Sequence, residues 1–382
     1  MIGIISAGGY GSRLFPLTLD KPREISRKKG ITEDCYNINS LPKPLAPITN
    51  CPMIYSPLTK MKMLGVEKVF VTIHYQKEKF PYHLPKISDL EIILTSPRAS
   101  STDELLKFAK QEIAKGYSGD FVYMNADIVS NIDPMPAFEA HKKQSPLVTI
   151  VSTPVTGNER RLSAIKTAEK DIYEPVQEYQ HKSTPKEAKA NKRNASIYFF
   201  SQDFVAWVQE HYLDLSGIEL SDHIFPRLAS SNNDLFFCYK TNVFWLDVGE
   251  IDYYLSAQKG SLHGEVEHPL HGKFYRKYQT YYEGKYSVTG PTLIQEGCEI
   301  GNGTIIGPNT VIGKGWMIGN NCQFQGSVLW PNNIGEEYNN CFLIENNISL
   351  NNCAVGSGHI LRTNENKVIV SNGEKTCELT WE

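Results

Sequence analysis

A six-residue repeat near the C-terminus is the feature that most restricts the fold of this chain. Apolar residues recur at every sixth position, as Ile294, Ile300, Ile306, Ile312, Ile318 and Phe324. The residue four positions after each is usually small, as at Cys298, Thr304, Thr310 and Cys322. This pattern predicts a parallel β-helix in which each repeat forms one flat side. The phase slips after Trp330, and Ile334, Ile344 and Leu350 indicate further coils to about residue 360.

The region before the repeats alternates short β-rich runs with longer segments of helical pattern. Strands are predicted at 2–5, 69–73, 92–94, 121–124, 148–151, 197–200 and 236–239, and a helix at 102–115. This alternation predicts an α/β fold, a Rossmann-like and mostly parallel mixed sheet with helices on both faces and ligands at the carboxyl ends of the strands. We predict three regions: the α/β domain at 1–257, a linker at 258–290, and the β-helix with a C-terminal tail at 291–382.

Composition narrows the class of protein. The chain has 382 residues, of which 41% are hydrophobic, so it can bury a large core in about two domains. A net charge of −3 predicts no nucleic-acid partner. No apolar stretch approaches the roughly 20 residues that cross a bilayer, so we expect no membrane partner and a cytoplasmic location. None of the eight cysteines forms a C-x-x-C pair, and we interpret them as reduced thiols.

A glycine loop follows the first predicted strand, in the sequence Ser6-Ala7-Gly8-Gly9-Tyr10-Gly11-Ser12-Arg13-Leu14. Such a loop can bring backbone N–H groups close to phosphate oxygens. Arg13 adds a positively charged guanidinium that can bind phosphate through two N–H groups at once. The loop is only part of a dinucleotide fingerprint and lacks the Gly-Lys-Ser/Thr of a P-loop. Taken alone it is compatible with a simple turn. With Arg13 it makes a nucleoside triphosphate the first ligand to consider.

The longer string from Gly8 to Thr18 closely resembles the signature of the sugar-1-phosphate nucleotidyltransferases, also called nucleotide-sugar pyrophosphorylases. The segment from Pro42 to Ile48, with Asn50 to Ile54, looks like the second motif of that family, and Gly65 to Val71 looks like the passage that follows it. The resemblance extends to mannose-1-phosphate guanylyltransferases and ADP-glucose pyrophosphorylases. It implies a catalytic α/β domain followed by a left-handed β-helix of hexapeptide repeats, and it spans most of the chain.

One segment departs from the family pattern. Relatives carry the lysine of Pro-Lys-Pro-Leu about five residues after the threonine of the first motif, where this chain has Arg23. Here Lys43 follows twenty residues later, after an insert at 24–41. Because the downstream motif follows Lys43 in the usual register, we assign the catalytic lysine to Lys43. The insert is compatible with a plain surface excursion, with a lid over the nucleotide or with a partner-binding element.

The resemblance implies roles for residues of the active site. Arg13, Lys43, Asp127 and Lys182 are the expected catalytic residues. The expected nucleotide-binding residues are Ala7, Gly8, Gly9, Gly11, Ser12, Arg13 and Asp103. Asp127 and Asp247 match the metal-binding positions and predict a Mg²⁺ cofactor, although an isolated Asp at a strand end is also a common helix cap. Lys182 has the weaker match and is also compatible with a solvated surface lysine.

Recognition of the sugar and the base is altered relative to the family. The expected sugar-binding residues are Glu178, His181 and Asn194, and His181 replaces a glutamate that relatives use for sugar hydroxyls. Ser196 and Ala126 stand where relatives have glycine, and the base loop has Ser100 or Glu104 at a glycine position. The absence of a glutamine placed as in the thymidylyl and uridylyl enzymes favours a purine nucleotide, GTP before ATP.

Two functions therefore remain open. The first is a Mg²⁺-dependent enzyme that joins a nucleoside triphosphate to a sugar 1-phosphate, giving a nucleotide-sugar and pyrophosphate. The second is a catalytically silent regulatory or assembly subunit of the same architecture. The four charged residues Arg13, Lys43, Asp127 and Asp247 favour the enzyme. The β-helix favours a homo-oligomer, with a monomer carrying a stabilising tail as the alternative.

Overall fold

The computed structural model describes residues 1–14, 17–18, 40–96, 101–155, 162–183, 190, 192–231, 234–331, 343–356, 360–361, 368–371 and 376–379. Most of the insert predicted at 24–41 lies outside the described residues. The chain divides into two compact units, each made of separate segments. The first unit comprises 1–8, 56–74 and 86–245, and the second comprises 9–55, 75–85 and 246–382. The sequence domains at 1–257, 258–290 and 291–382 remain predictions.

The helices alternate with strands through the α/β region. The α-helices are α1 (Tyr55–Met63), α2 (Phe80–His83), α3 (Ser101–Ala114), α4 (Met135–Gln144), α5 (Asp203–His211), α6 (Phe225–Ser230) and α7 (Ile251–His263). Short 3-10 turns cover Ser12–Leu14, Lys43–Leu45 and Lys77–Lys79, and a π-helical turn covers Leu220–Ile224.

The first fourteen strands belong to the α/β region. They are β1 (Ile2–Ser6), β2 (Pro47–Ile48), β3 (Cys51–Pro52), β4 (Lys68–Thr72), β5 (Glu91–Thr95), β6 (Phe121–Asn125), β7 (Ile128–Ser130), β8 (Val148–Pro154), β9 (Leu162–Lys166), β10 (Tyr173–Pro175), β11 (Glu178–Ser183), β12 (Lys192–Phe200), β13 (Phe236–Lys240) and β14 (Trp245–Asp247).

A ten-stranded mixed sheet forms the centre of the first unit. Its order is β10-β13-β8-β12-β6-β1-β4-β5, with β9 paired to β12 and β11 paired to β9. The pairs β6-β1, β1-β4 and β4-β5 are parallel, whereas β12 runs antiparallel to β6 and β8. The predicted α/β fold with a mostly parallel sheet is confirmed.

Successive side chains of β1 explain how both faces of this sheet are covered. Ile2 and Ile4 belong to a core that includes Leu105 and Phe108 of α3 and Phe204 of α5. Gly3 points the other way, where an added Cβ would lie 2.8 Å from Met61 Sδ of α1. Because strand side chains alternate, helices pack on both faces, as the sequence predicts.

The remaining strands belong to the second unit, and most of them build the β-helix. They are β15 (Lys273–Tyr275), β16 (Thr280–Tyr282), β17 (Ser287–Thr289), β18 (Thr292–Ile294), β19 (Glu299–Ile300), β20 (Ile305–Ile306), β21 (Thr310–Ile312), β22 (Met317–Ile318), β23 (Gln323–Gln325), β24 (Val328–Leu329), β25 (Leu343–Ile344), β26 (Ser349–Asn351), β27 (Ala354–Val355), β28 (Ile360–Leu361), β29 (Val368–Ser371) and β30 (Thr376–Leu379).

The register of these strands explains the six-residue repeat. Ile294 pairs with Ile312, Ile300 with Ile318 and Ile306 with Phe324, always in parallel. Three hexads therefore form one coil, and the six repeat residues are all buried. The parallel pairing also includes Val288 of β17, which pairs with Ile306. Val288 lies six residues before Ile294, so the phase already continues into the predicted linker.

Candidate functional site

The glycine loop begins at the carboxyl end of β1. The Ala7 N–H donates to the Thr72 carbonyl oxygen at 2.9 Å, which fixes the start of the loop beside the end of β4 in the first unit. From Gly9 onward the loop belongs to the second unit. An added Cβ at Gly9 would meet no heavy atom within 4 Å, so this part of the loop borders open space. The side chain of Ser12 is outside the described part of the structure.

Position 11 requires glycine, both for its small size and for its backbone conformation. Its φ is 66°, in the left-handed region that favours glycine. A Cβ there would lie 2.9 Å from both Lys43 Cβ and Thr18 Oγ1. The Thr18 hydroxyl donates to the Gly11 carbonyl oxygen at 2.7 Å. The structure therefore packs the glycine loop directly against the predicted catalytic lysine, within the second unit.

Lys43 lies in the 3-10 turn Lys43–Leu45 and is almost completely buried. Its Nζ is 3.6 Å from Oδ1 of Asp247, where the Lys43 side chain is 8% exposed and that of Asp247 is 48% exposed. A buried ammonium needs a nearby anion because its desolvation is costly. Asp247 supplies that charge on one side while its carboxylate still reaches solvent. Two residues predicted from separate motifs, 204 positions apart in the sequence, are thus brought together.

Arg13 forms a second cation–carboxylate pair in the same unit. Its Nη1 lies 3.7 Å from Oε1 of Glu250, and the Arg13 side chain is 51% exposed. A Cβ at Gly249 would lie 2.8 Å from Arg13 Nη2, so the absence of a side chain at 249 makes room for the guanidinium. The sequence assigned no role to Gly249 or Glu250. Their position two and three residues after Asp247 was the available signal.

Asp127 lies in the first unit, in the turn between β6 and β7. The Ala126 N–H just before it donates to the Ser6 carbonyl oxygen at 3.0 Å. Ser6 and Asn125 are paired at the ends of parallel strands β1 and β6. Asp127 therefore lies at the same carboxyl edge from which Ala7 and the glycine loop leave the sheet, as the sequence predicts.

Asp103 and Glu104 lie in the first turn of α3. Glu104 is 9% exposed and is hydrogen-bonded to the side chain of Thr72, at the end of β4. Burial raises the pKa of Glu104 to about 7, and the nearby carboxylates of Glu219 and Asp103 add to this shift. A carboxyl group that titrates near neutral pH therefore lies beside the start of the glycine loop. In the sequence, Glu104 stands out only as a departure from glycine.

The side chain of Asn194 is held by two buried tyrosines. Its Nδ2 donates to the hydroxyls of Tyr179 at 3.2 Å and Tyr198 at 2.7 Å. Its Oδ1 accepts from the Ser196 N–H at 2.8 Å, and Ser196 has a φ of 60°. Burial raises the pKa of both tyrosines, so their hydroxyls stay protonated.

His181 has a partner at each ring nitrogen. Its Nδ1 is 2.7 Å from Ser163 Oγ, and its Nε2 is 3.4 Å from Asp222 Oδ1. Tyr179 is hydrogen-bonded to Ser163 and Asn194, so the predicted sugar residues 181 and 194 are connected through one polar cluster. Ser163, Tyr179 and Asp222 were not found from the sequence, since they lie on separate elements without a shared motif.

The other two predicted residues of β11 are less well defined. Glu178 is partly exposed, whereas its neighbour Tyr179 is buried, which places these two side chains on opposite faces of the strand. The backbone of Lys182 belongs to β11, and its side chain lies outside the described part of the chain. The roles of Glu178 and Lys182 remain predictions.

The donor set suits magnesium bound together with substrate phosphates. Among the described residues, no three His, Cys, Asp or Glu side chains form a cluster that could hold a metal by itself. Magnesium usually takes one or two carboxylates and completes its coordination with water and phosphate oxygens. The half-exposed carboxylate of Asp247 fits that type of ligand. Within the described part of the chain, no helix is long and apolar enough to cross a membrane.

The chain combines an α/β sheet with a glycine loop and two cation–carboxylate pairs. These features suit phosphate-containing ligands. Residues 39–263 match the family model described as nucleotidyl transferase. This match covers more than half of the chain, and the chain belongs to the nucleotidyl transferase family.

Individual relatives carry more specific names. The chain is 28% identical over 261 residues to "Probable mannose-1-phosphate guanylyltransferase 1" of Oryza sativa subsp. japonica, covering 67% of this chain and 63% of the rice protein. It is 27% identical over 318 residues to "Probable mannose-1-phosphate guanylyltransferase 2" of Arabidopsis thaliana, covering 80% of this chain and 74% of the Arabidopsis protein.

A solved structure has a similar fold. It is that of a "Putative Glucose-1-Phosphate Thymidylyltransferase" from Bacillus anthracis, in complex with a sucrose. The TM-score is 0.51 and the identity is 19%, with 68% of this chain and 94% of that chain covered. This similarity supports the α/β fold and carries no information on the substrate.

Proposed function

We propose that this chain transfers a nucleotidyl group from a nucleoside triphosphate to a sugar 1-phosphate. The observation that carries the proposal is the packing of buried Lys43 against Gly11, with Asp247 as its ionic partner. Arg13 and Glu250 add a second pair in the same unit. Family membership and the names of the relatives support this type of reaction.

The reaction requires alignment of two anions and little proton chemistry. A phosphate oxygen of the sugar 1-phosphate attacks the α-phosphorus and forms a new P–O bond. The bond from the α-phosphorus to the oxygen bridging to the β-phosphorus breaks, and that oxygen leaves with pyrophosphate. The nucleophile is already ionised near neutral pH, so catalysis depends on orientation and on compensation of charge.

Each cation has a distinct part in this step. Lys43 would stabilise the charge that develops on the α-phosphate oxygens, because its burial strengthens electrostatic interactions. The more exposed Arg13 would hold the departing pyrophosphate with its bidentate guanidinium. Lys182 would contact the phosphate of the sugar. When bound, Mg²⁺ offsets phosphate charge, and Asp127 and Asp247 are its proposed protein ligands.

GTP and mannose 1-phosphate are the proposed first pair of substrates. The sequence favours a purine nucleotide, and the named relatives are guanylyltransferases of mannose 1-phosphate. Glu178, His181 and Asn194 are the proposed sugar contacts, and a homo-oligomer through the β-helix remains a proposal of the same kind.

Pyrophosphate release tests this function. Folded protein is mixed with Mg²⁺ and each of GTP, ATP, UTP, CTP and dTTP against glucose, mannose, galactose, N-acetylglucosamine and heptose 1-phosphates. We expect release only when both substrates are present, with GTP and mannose 1-phosphate fastest. Absence of pyrophosphate release with every pair of substrates would contradict the proposal. Lys43→Met is the matched control for background hydrolysis.

One observation favours the regulatory alternative. Both N–H groups of Asn194 are donated to tyrosines, and each nitrogen of His181 has a protein partner. A sugar site whose polar groups already bond to other protein groups suits a subunit that binds nucleotide without turning it over. Mg²⁺-dependent binding of GTP without pyrophosphate release from any pair would support this alternative.

A further inference from the structure

The segment that carries Lys43 continues directly into a small buried hairpin. Strands β2 and β3 are antiparallel, with Pro47 opposite Pro52 and Ile48 opposite Cys51. Thr49 and Asn50 form the two-residue turn, with φ values of 45° and 65°. Both values are positive, as a type I′ hairpin turn requires, although threonine adopts this conformation reluctantly. Something outside the hairpin must hold this turn.

Two side chains of α7 hold the first strand of the hairpin. The hydroxyl of Tyr254 and Nε2 of Gln258 both donate to the Pro47 carbonyl oxygen at 2.6 Å. Oε1 of Gln258 accepts from the Thr49 N–H at 2.7 Å. Tyr254 is fully buried and Gln258 nearly so. The hydroxyl of Tyr254 and the amide group of Gln258 therefore form their hydrogen bonds in a buried place, where water cannot replace a lost partner.

The β-helix in turn holds Tyr254. The Trp330 indole N–H, just after β24, donates to the Tyr254 hydroxyl at 2.8 Å. Burial raises the pKa of Tyr254, which keeps its hydroxyl protonated as the donor to Pro47. Trp330 is itself held by Trp316, whose indole N–H donates to the Trp330 carbonyl oxygen at 2.8 Å. One chain of hydrogen bonds thus connects the coil to the lysine segment.

The turn of the hairpin is held from the same side. The Thr49 hydroxyl donates to the Pro269 carbonyl oxygen at 2.7 Å, and the His271 N–H donates to the Thr49 carbonyl oxygen at 3.3 Å. Nδ2 of Asn50 lies 3.1 Å from the carbonyl oxygen of His271 and 3.4 Å from that of Ile312 in the coil. These contacts account for the left-handed conformation at Thr49.

We propose that the β-helix positions the catalytic lysine, through the relay from Trp330 to Tyr254 to the carbonyl of Pro47. The proposal rests on the role of Lys43 in the proposed function. Tyr254, Gln258 and Trp330 are positioning residues, since they act on Lys43 through the backbone of 43–50. The consequence is that the β-helix is required for turnover by each chain, beyond any part it has in assembly.

The test uses the full-length protein and compares two Tyr→Phe variants. Tyr254→Phe keeps the ring and removes the hydroxyl that links Trp330 to Pro47. Tyr275→Phe is the matched control: Tyr275 is also buried in the second unit, and its hydroxyl bonds with Lys273 and Glu283. We expect Tyr254→Phe to lower kcat about tenfold with KM for both substrates within about twofold, because a displaced catalytic group costs turnover. The control should keep kcat within about twofold.

A double-mutant cycle separates positioning from general destabilisation. Trp330→Phe should lower kcat in the wild-type background and have little further effect in the Tyr254→Phe background, because the relay is already broken. Equal effects in both backgrounds, or an unchanged kcat in Tyr254→Phe, would overturn the proposal.

Hydrogen exchange of residues 43–54 provides a readout that does not depend on activity. Several amides there have backbone partners, such as Met53 N–H to Ala46 and Ile54 N–H to Pro44. Their exchange should accelerate in Tyr254→Phe and not in Tyr275→Phe. Equal exchange in the two variants would refute the relay. Absence of turnover in the wild type would refute the proposed function instead, while exchange still decides whether the coil holds this segment.

Discussion

Gly249→Ala tests the role of Arg13 without changing the charge of the site. The added Cβ would lie 2.8 Å from Arg13 Nη2, which is about 0.6 Å short of ordinary van der Waals contact at 3.4 Å. The guanidinium is the far end of a flexible, half-exposed side chain, so it can move aside. We expect the free energy of unfolding to change by less than about 1 kcal/mol. The guanidinium, however, must leave the position from which it would hold pyrophosphate.

Displacement of this size should lower kcat/KM for the nucleotide about tenfold, equivalent to about 1.4 kcal/mol of transition-state stabilisation. Steady-state pyrophosphate release at saturating sugar 1-phosphate measures the effect, with urea unfolding as the check on stability. In an Arg13→Ala background, Gly249→Ala should have almost no further effect. An unchanged kcat/KM in the single variant, or an equal loss in both backgrounds, would refute the placement of Arg13 on the nucleotide.

Three further predictions concern other residues. Asp127→Asn and Asp247→Asn should each abolish Mg²⁺-dependent turnover, and normal turnover in both would refute their role as metal ligands. Asp127→Asn should leave thermal unfolding nearly unchanged, whereas Asp247→Asn should lower the unfolding temperature because buried Lys43 loses its ionic partner. Because the pKa of Glu104 is raised to about 7, the folded state holds its proton more tightly than the unfolded state. The free energy of unfolding of wild type should therefore fall by up to about 3 kcal/mol relative to that of Glu104→Gln as pH rises from 4.5 to 8. A pH-independent difference between the two proteins in urea unfolding would contradict this. Asn194→Ala should destabilise by about 2 kcal/mol, because two buried tyrosine hydroxyls lose a partner; a loss below about 0.5 kcal/mol would argue against the cluster.

Regular, local patterns made much of the fold predictable. The hexads determine which side chains enter the coil, and their spacing of six leads to the pairing of residues eighteen apart, as for Ile294 and Ile312. The inner parallel strands β1 and β6 are largely apolar runs, so both were found within one residue of their ends. In both cases burial imposes a period that is visible in a short window.

Contacts between distant segments were not predictable in this way. Tyr254 bonds with the carbonyl of Pro47, 207 positions away, and neither residue stands out by type or spacing. Glu250 becomes notable only after Arg13 is seen beside it. The tyrosines around Asn194 follow the strand pattern of an ordinary core, which conceals the polar function of their hydroxyls. Backbone carbonyls and hydroxyls acquire such roles from the tertiary structure.

Formation of the nucleotide-sugar itself tests the central claim most directly. GTP labelled at the α-phosphate is incubated with mannose 1-phosphate and Mg²⁺, and products of wild type and Lys43→Met are separated and identified by mass spectrometry. We predict that wild type forms a labelled nucleotide-sugar and an equal amount of pyrophosphate, and that the equally folded Lys43→Met variant is slower by about a hundredfold or more. No labelled product from wild type with any sugar 1-phosphate, or equal rates for the two proteins, would contradict the account.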